Sequence, residues 1–180
     1  MARKAKPGAQ GTAVVAAATG VQYWLLKTEP GEWSWSDQAR APGGVAPWDG
    51  VRNRQAMNSL RAMRPGDRCL FYHSGAGAAS RRVVGVVEVA RPWYEGEGEG
   101  EEAVAGGAVD VRAVGQFRSP VPLGVIKKAA GEVEGMKDFA LLRQARLSVM
   151  PVPAKIWDWV CDAGGGFVQD GEGEDEEEEV

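Results

Sequence analysis

Histidine and cysteine are nearly missing from this chain: one histidine and two cysteines stand among 180 residues. A zinc site needs clustered Cys and His, so no metal is expected. Cys69 and Cys161 lie far apart in sequence, which makes no disulfide framework and suits a reducing compartment. No apolar run approaches the length of a membrane span, and residues 1–20 hold no long apolar core like that of a secretory leader. A phosphate-binding glycine loop is also lacking, because the glycines of 96–100 alternate with Glu97 and Glu99, whose charges repel phosphate. The sole histidine, His73, has neighbours Tyr72 and Ser74 that point to the opposite face of a strand, so no local Ser–His pair forms. Glu29 and Glu32 fall in a turn, where carboxylates act as caps. Support for catalysis is therefore thin. No catalytic residue and no cofactor is expected, and a hydrolase using His73 ranks last among the readings.

What the chain does have is enough apolar content, 44%, to build one domain with a real core. Seven tryptophans are many for this length; most belong in a core, and a minority can serve as stacking surfaces. The net charge of -4 conceals an uneven layout. Residues 170–180 carry 8 acids and residues 94–102 another 5, whereas 18 of the 21 Lys and Arg lie between 21 and 168. Without its acidic loop, that body has 18 cations against 12 acids, a charge of +6. Such a body is compatible with a polyanion partner, although acidic tails also simply solubilise. Three parts are expected: a disordered basic arm over 1–20, a folded domain over 21–168, and a disordered acidic tail over 169–180. Arg3, Lys4 and Lys6 leave room for a nucleic-acid contact or an organelle signal in the arm, with plain disorder favoured.

The domain reads as mixed α and β. Strands are expected at 21–28, 68–74, 81–93, 107–117 and finally 146–152. Residues 29–38 are expected to turn into a short helix with Ser36 as N-cap, and further short helices are expected at 52–63, 122–130 and 136–144, and at 153–162 with Pro153 near its first turn. In the 52–63 helix, Ala56, Leu60 and Met63 form the apolar stripe, and Pro65–Gly66–Asp67 ends it. The stretch 94–106 is low complexity. Short strands joined through helices point to an α+β fold, a small curved sheet or barrel with helices at its rim.

A binding pocket has better support than catalysis. The first strand ends in Lys27–Thr28–Glu29, and Trp33 follows at once. Trp48–Asp49–Gly50–Val51–Arg52–Asn53 precedes a helix, whose free N–H groups and dipole favour an anion. Arg52 can hold a phosphate or a base edge through two parallel hydrogen bonds, and Asn53 offers both donor and acceptor. Tyr72–His73–Ser74 ends another strand. Planar walls with amide and hydroxyl groups are what a flipped base needs. Each residue also has a plain structural alternative: Asp49 as helix cap, Trp48 in the core, Arg52 in an ion pair, His73 buried and satisfied.

The ordered series YWLLKTEP, WSWSD, WDGVRNRQAMNSLRAMRPGD, FYHS, VVGVVEV, VDVR and RLSVMPV strongly resembles the EVE domain, over roughly residues 22–162. WDGVRN and FYHS are its most telling pieces. The resemblance implies a PUA-like fold, a small curved β-barrel with short helices at its rim, related in shape to YTH domains. It implies a non-enzymatic reader that holds a modified base, notably modified cytosine in DNA. The pocket would be lined from Lys27, Thr28, Glu29, Trp33, Trp48, Asp49, Gly50, Val51, Arg52, Asn53, Tyr72, His73, Ser74, Arg146, Leu147 and Ser148. Trp48 and Tyr72 would stack on the base. Glu29, Asn53 and Ser74 would read its edges. Lys27, Arg52, Arg54 and Arg146 would meet phosphate or hold the pocket. The expected partner is nucleic acid, DNA ahead of RNA, bound by a monomer without a membrane, in the nucleus if the source is eukaryotic and in the cytoplasm otherwise. The alternative is a small-molecule or peptide binder on the same fold. Two departures stand out. Arg54 occupies a position where many relatives have an aromatic, and the short YEGEGEGEEAVAGG replaces a longer insertion with aromatics, so acids there should weaken backbone binding. A nucleic-acid reader should gather Arg52, Arg54, Arg81, Arg82 and Arg146 on one face.

Overall fold

The computed structural model describes residues 20–77, 80–96 and 106–169. The expected arm and tail fall outside the described residues except for Gly20 and Gln169, as does 97–105 in the middle of the low-complexity connection. Seven strands, β1 (Tyr23–Thr28), β2 (Val45–Trp48), β3 (Arg68–His73), β4 (Arg82–Glu95), β5 (Gly107–Pro122), β6 (Val149–Pro151) and β7 (Phe167–Gln169), form one mixed sheet. Its order is β2-β5-β4-β3-β1-β6, with β7 also paired to β5. Only β1 and β3 run parallel, in the register Lys27 opposite Tyr72 and Thr28 opposite His73. Among the described residues, five short α-helices accompany it: α1 (Trp35–Arg40), α2 (Arg54–Ala62), α3 (Leu123–Lys128), α4 (Ala140–Arg143) and α5 (Ala154–Ala163).

The sheet curls because β4 and β5 pair irregularly. Register shifts interrupt them at Val83/Gly85, Val86/Val87, Val89/Arg91 and Arg91/Tyr94, and each such bulge bends the strand and adds twist. The curl lets α2 touch both β6, at one end of the sheet, and β4 and β5 in its other half. The apolar stripe of α2 is as expected: Ala56 and Leu60 are fully buried and Met63 nearly so. This is the curved α+β architecture that the sequence led us to expect.

Several local details differ from expectation. The cap of α1 is Ser34, not Ser36; its hydroxyl accepts from Asp37 N at 3.1 Å while Asp37 Oδ2 accepts from Ser34 N at 2.9 Å, a reciprocal capping box. Asn53, not Asp49, caps α2, accepting from Ala56 N at 2.9 Å. Pro153 stands beside the first turn of α5, as expected, in the N-cap position. The expected final strand shrinks to Val149–Pro151, with 146–148 in the turn before it, and it is not the last: β7 follows α5.

One buried carboxylate joins three segments. Asp67 is 2% exposed. Its Oδ1 accepts from Gln22 N at 3.0 Å, and its Oδ2 accepts from Trp24 Nε1 and from Arg64 N, both at 3.0 Å. The end of α2, the start of β1 and the first turn into β3 are thereby fixed together. Asp67→Ala would leave these donors without an acceptor in a dry site, a loss of about 3 kcal/mol. The urea midpoint should fall accordingly; an unchanged midpoint would show that the carboxylate is dispensable.

Candidate functional site

An open cleft of about 950 Å³ lies where the parallel strands β1 and β3 end. Four stretches of chain converge on it. From β1 and the turn after it come Lys27, Thr28, Glu29, Glu32 and Trp33; from β2 and the segment beyond it come Ala46 to Arg52. Tyr72, Ser74, Gly75 and Arg81 come from the end of β3 and the start of β4, and Ala145, Arg146 and Ser148 from the turn before β6, with Leu123 and Leu141 completing the wall. Main-chain bonds join these stretches: Ser74 N donates to Thr28 O at 2.8 Å, and Lys27 N to Ser148 O at 2.9 Å.

The walls are held by hydrogen-bonded polar groups. Thr28 Oγ1 donates to Trp33 O at 2.9 Å, and Trp33 Nε1 donates to Gln38 Oε1 at 3.0 Å. Gln38 is completely buried, and its Nε2 donates to Gly44 O and Val111 O at 3.0 and 3.2 Å. An indole is thus fixed to β5 through one amide. Gly50 sits at φ +72 in the lip that carries Asp49 and Arg52, a conformation that a side chain would strain. Lys27 Nζ donates to Ala145 O at 2.9 Å and stands 5.8 Å above the Tyr72 ring. Arg81 Nε donates to Gly75 O at 2.9 Å.

Four cations, Lys27, Arg52, Arg81 and Arg146, share the cleft with three carboxylates, Glu29, Glu32 and Asp49. None of the seven makes an ion pair among the described residues. Burial lowers the Lys27 pKa, and the nearby Arg81 charge lowers it further. Burial pushes the Tyr72 phenol up to about 12 against the opposing pull of Arg81, so it stays protonated at neutral pH.

Of the sixteen residues expected at the site, thirteen line the cleft; Asn53, His73 and Leu147 do not. Asn53 Oδ1 is taken up in capping α2. Leu147 is buried in the core. His73 points to the other face of β3 from Tyr72 and Ser74, as strand alternation requires, and its Nε2 accepts from Trp35 N at 3.1 Å. Trp48 and Tyr72 line the cleft but are only 7% and 2% exposed, so they form its floor rather than open platforms. Trp33, half-buried, is the cleft indole with surface to offer. Arg54 and Arg82 lie outside the cleft, so the five arginines do not gather there; Arg52, Arg81 and Arg146 do. Arg81 was expected only as one of five arginines on a shared face, and Glu32 only as a cap, yet both line the cleft. Nothing in the sequence sets the phase of the Arg81–Arg82 pair, and only the pairing of β4 with β3 decides which of the two turns inward.

The family described as EVE domain matches residues 22–163. Chicken thymocyte nuclear protein 1 is 30% identical over 164 residues, which are 77% of this chain and 66% of that protein's length. A crystal structure of a protein from Agrobacterium tumefaciens superposes with a TM-score of 0.69 at 38% identity, covering 81% of this chain and 94% of that one. Human THYN1, in a crystal structure of its complex with DNA containing 5-methylcytosine, superposes with a TM-score of 0.68 at 28% identity, covering 79% and 97%. These likenesses agree with the PUA-like architecture. No helix among the described residues is long and apolar enough to cross a membrane.

The His73 contact gives a pH signature. Burial, and then the Arg82 charge, lower the imidazole pKa below its ordinary 6.5. The unfolded chain therefore takes up a proton more readily than the folded one, and stability from this group is full above pH 6.5 and lost as pH falls below it. Urea midpoints should drop between neutral and mildly acid pH, and His73→Gln, which keeps an acceptor for Trp35 N, should drop less. Superimposable pH curves for the two proteins would contradict this.

Proposed function

The chain belongs to the EVE-domain family, and on that premise we propose that its cleft holds one nucleobase of DNA drawn out of the stack, with modified cytosine preferred. The observation that carries this reading is the company in the cleft: three aromatic side chains beside four cations that make no ion pair among the described residues. A volume of about 950 Å³ is at the upper end for ligand clefts, which run from about 300 to 1,000 Å³, and leaves room for a base together with its sugar and phosphates. Extruding a base costs a few kcal/mol, and stacking on an aromatic offsets roughly 1–3 kcal/mol of that.

Roles divide by position. Trp33 is the stacking surface, over a floor of Trp48 and Tyr72. The carboxylates of Glu29, Glu32 and Asp49 suit the 4-amino group of cytosine, a donor that an acid side chain accepts. Arg52 and Arg146, both exposed, meet the flanking phosphates, while Lys27 and Arg81 hold charge further in. A small-molecule or peptide binder on this fold would not need so many cations. The relatives' name, thymocyte nuclear protein, favours the nucleus for a eukaryotic chain. A monomer that takes DNA ahead of RNA fits the same reading.

Oligonucleotides carrying cytosine, 5-methylcytosine, 5-hydroxymethylcytosine or N6-methyladenine, titrated at low and moderate salt, provide the test. The modified cytosines should bind most tightly, and Trp33→Ala should weaken them by about tenfold, the scale of one lost stacking contact. Absence of binding, or binding indifferent both to the modification and to Trp33→Ala, would sink the reading.

A further inference from the structure

Outside the cleft, the surface of α2 divides in two. Ala56, Leu60 and Met63 are buried on one side. At about 100° per residue, Arg54, Asn58 and Arg61 fall on the opposite side, within about 60° of one another. All three are exposed. From Gly50 to Gly66 the sequence holds four arginines, Arg52, Arg54, Arg61 and Arg64, and no acid. No ion pair of Arg54 or Arg61 occurs among the described residues.

Two features argue that this charge is not an ordinary solvated face. Arg54 is the first residue of α2, where the helix dipole is positive and favours acids, yet the first turn has none. A helix selected for stability alone would carry the opposite sign there. Arg61, at the other end, is not loose: its guanidinium carbon lies 5.0 Å from the centre of the Trp93 ring on β4. The indole N–H of Trp93 in turn donates to Glu95 Oε2 at 3.1 Å. The two arginines are thereby spaced about 10 Å along one helix, an axial span of about three phosphates on one strand of a duplex.

We infer that the exposed face of α2 tracks the phosphate backbone of the duplex flanking the base held in the cleft, through Arg54 and Arg61. Arg52 connects the two surfaces, since it lines the cleft two residues before Arg54. The inference rests on the reading of the partner as DNA. It gives Arg54, the residue that departs from the family pattern, a role outside the cleft: sequence-independent affinity rather than base choice.

Arg54→Glu and Arg61→Gln, singly and combined, can be titrated by fluorescence anisotropy with unmodified and 5-methylcytosine duplexes over a range of salt. Each variant should weaken both duplexes by the same factor and flatten the slope of log K against log salt by about 1 per arginine lost. The preference between the duplexes should be unchanged. The Tm of Arg54→Glu should equal or exceed that of the parent, because an acid then meets the positive helix end, so weaker binding cannot be put down to misfolding. Unchanged affinities and salt slopes would overturn the inference, as would a loss confined to the modified duplex or a parent protein that binds neither duplex. A parent without methyl preference, whose slope the α2 variants still flatten, would refute the cleft reading and leave this one standing.

Discussion

The packing around Phe71 is the constraint on which the site depends. This fully buried ring, on the central strand β3, meets Trp35 edge-on at 5.2 Å, Trp48 at 5.6 Å and His73 at 5.8 Å. Edge-to-face contacts of this kind add about 0.5–1.5 kcal/mol each beyond area burial. Trp35 begins α1, and Trp48 ends β2 and leads into the Asp49–Arg52 lip. One side chain therefore sets the position of the lip, and the next residue along β3, Tyr72, faces the cleft itself. Gly85 belongs to the same arrangement: a methyl group there would come within 2.8 Å of the Trp35 ring and of Gly115 O, so only glycine lets the indole close over β4.

Around this apolar centre, the chain uses a few buried polar groups as fixed joints. Gln38 has both ends of its amide bonded, and Asp67 accepts three N–H groups. His73, only partly buried, holds the backbone of Trp35 in the same way. Groups of this kind specify geometry because any other arrangement would leave them unsatisfied in a dry interior. The ionisable groups of the cleft are the reverse. Its lysine, three arginines and three carboxylates lack ion-pair partners among the described residues, and their charges stay available. The division between satisfied joints and unpaired cleft charges is what separates scaffold from site.

Much of this was legible in the sequence. The long strands showed through their branched and aromatic runs, and the α2 stripe through its spacing. β2 did not, because it is four residues long and contains Pro47, which lacks an N–H and fits only at the end of a sheet, where β2 lies. β7, three residues following Gly164–Gly165–Gly166, is too short to carry a pattern. The cleft was legible as a set of segments, since the family resemblance brought 27–29, 48–52, 72–74 and 146–148 together. Its finer sorting was not. Whether Asp49 or Asn53 caps α2 depends on which residue the chain turns at, and both are good caps. Whether an indole is floor or platform depends on packing from segments remote in sequence. Asp67 read as part of the Pro65–Gly66–Asp67 turn that ends α2, and nothing local announces the three donors it serves.

The central claim is that a base enters the cleft bounded by Trp33, the Asp49–Arg52 lip and the end of β3. Backbone amide shifts recorded by NMR during titration with a 5-methylcytosine oligonucleotide address it directly. The account predicts the largest changes at residues 27–33, 48–52, 72–75 and 146–148, larger than those caused by the unmodified oligonucleotide. Changes confined to other surfaces, or identical for the two oligonucleotides, would contradict it.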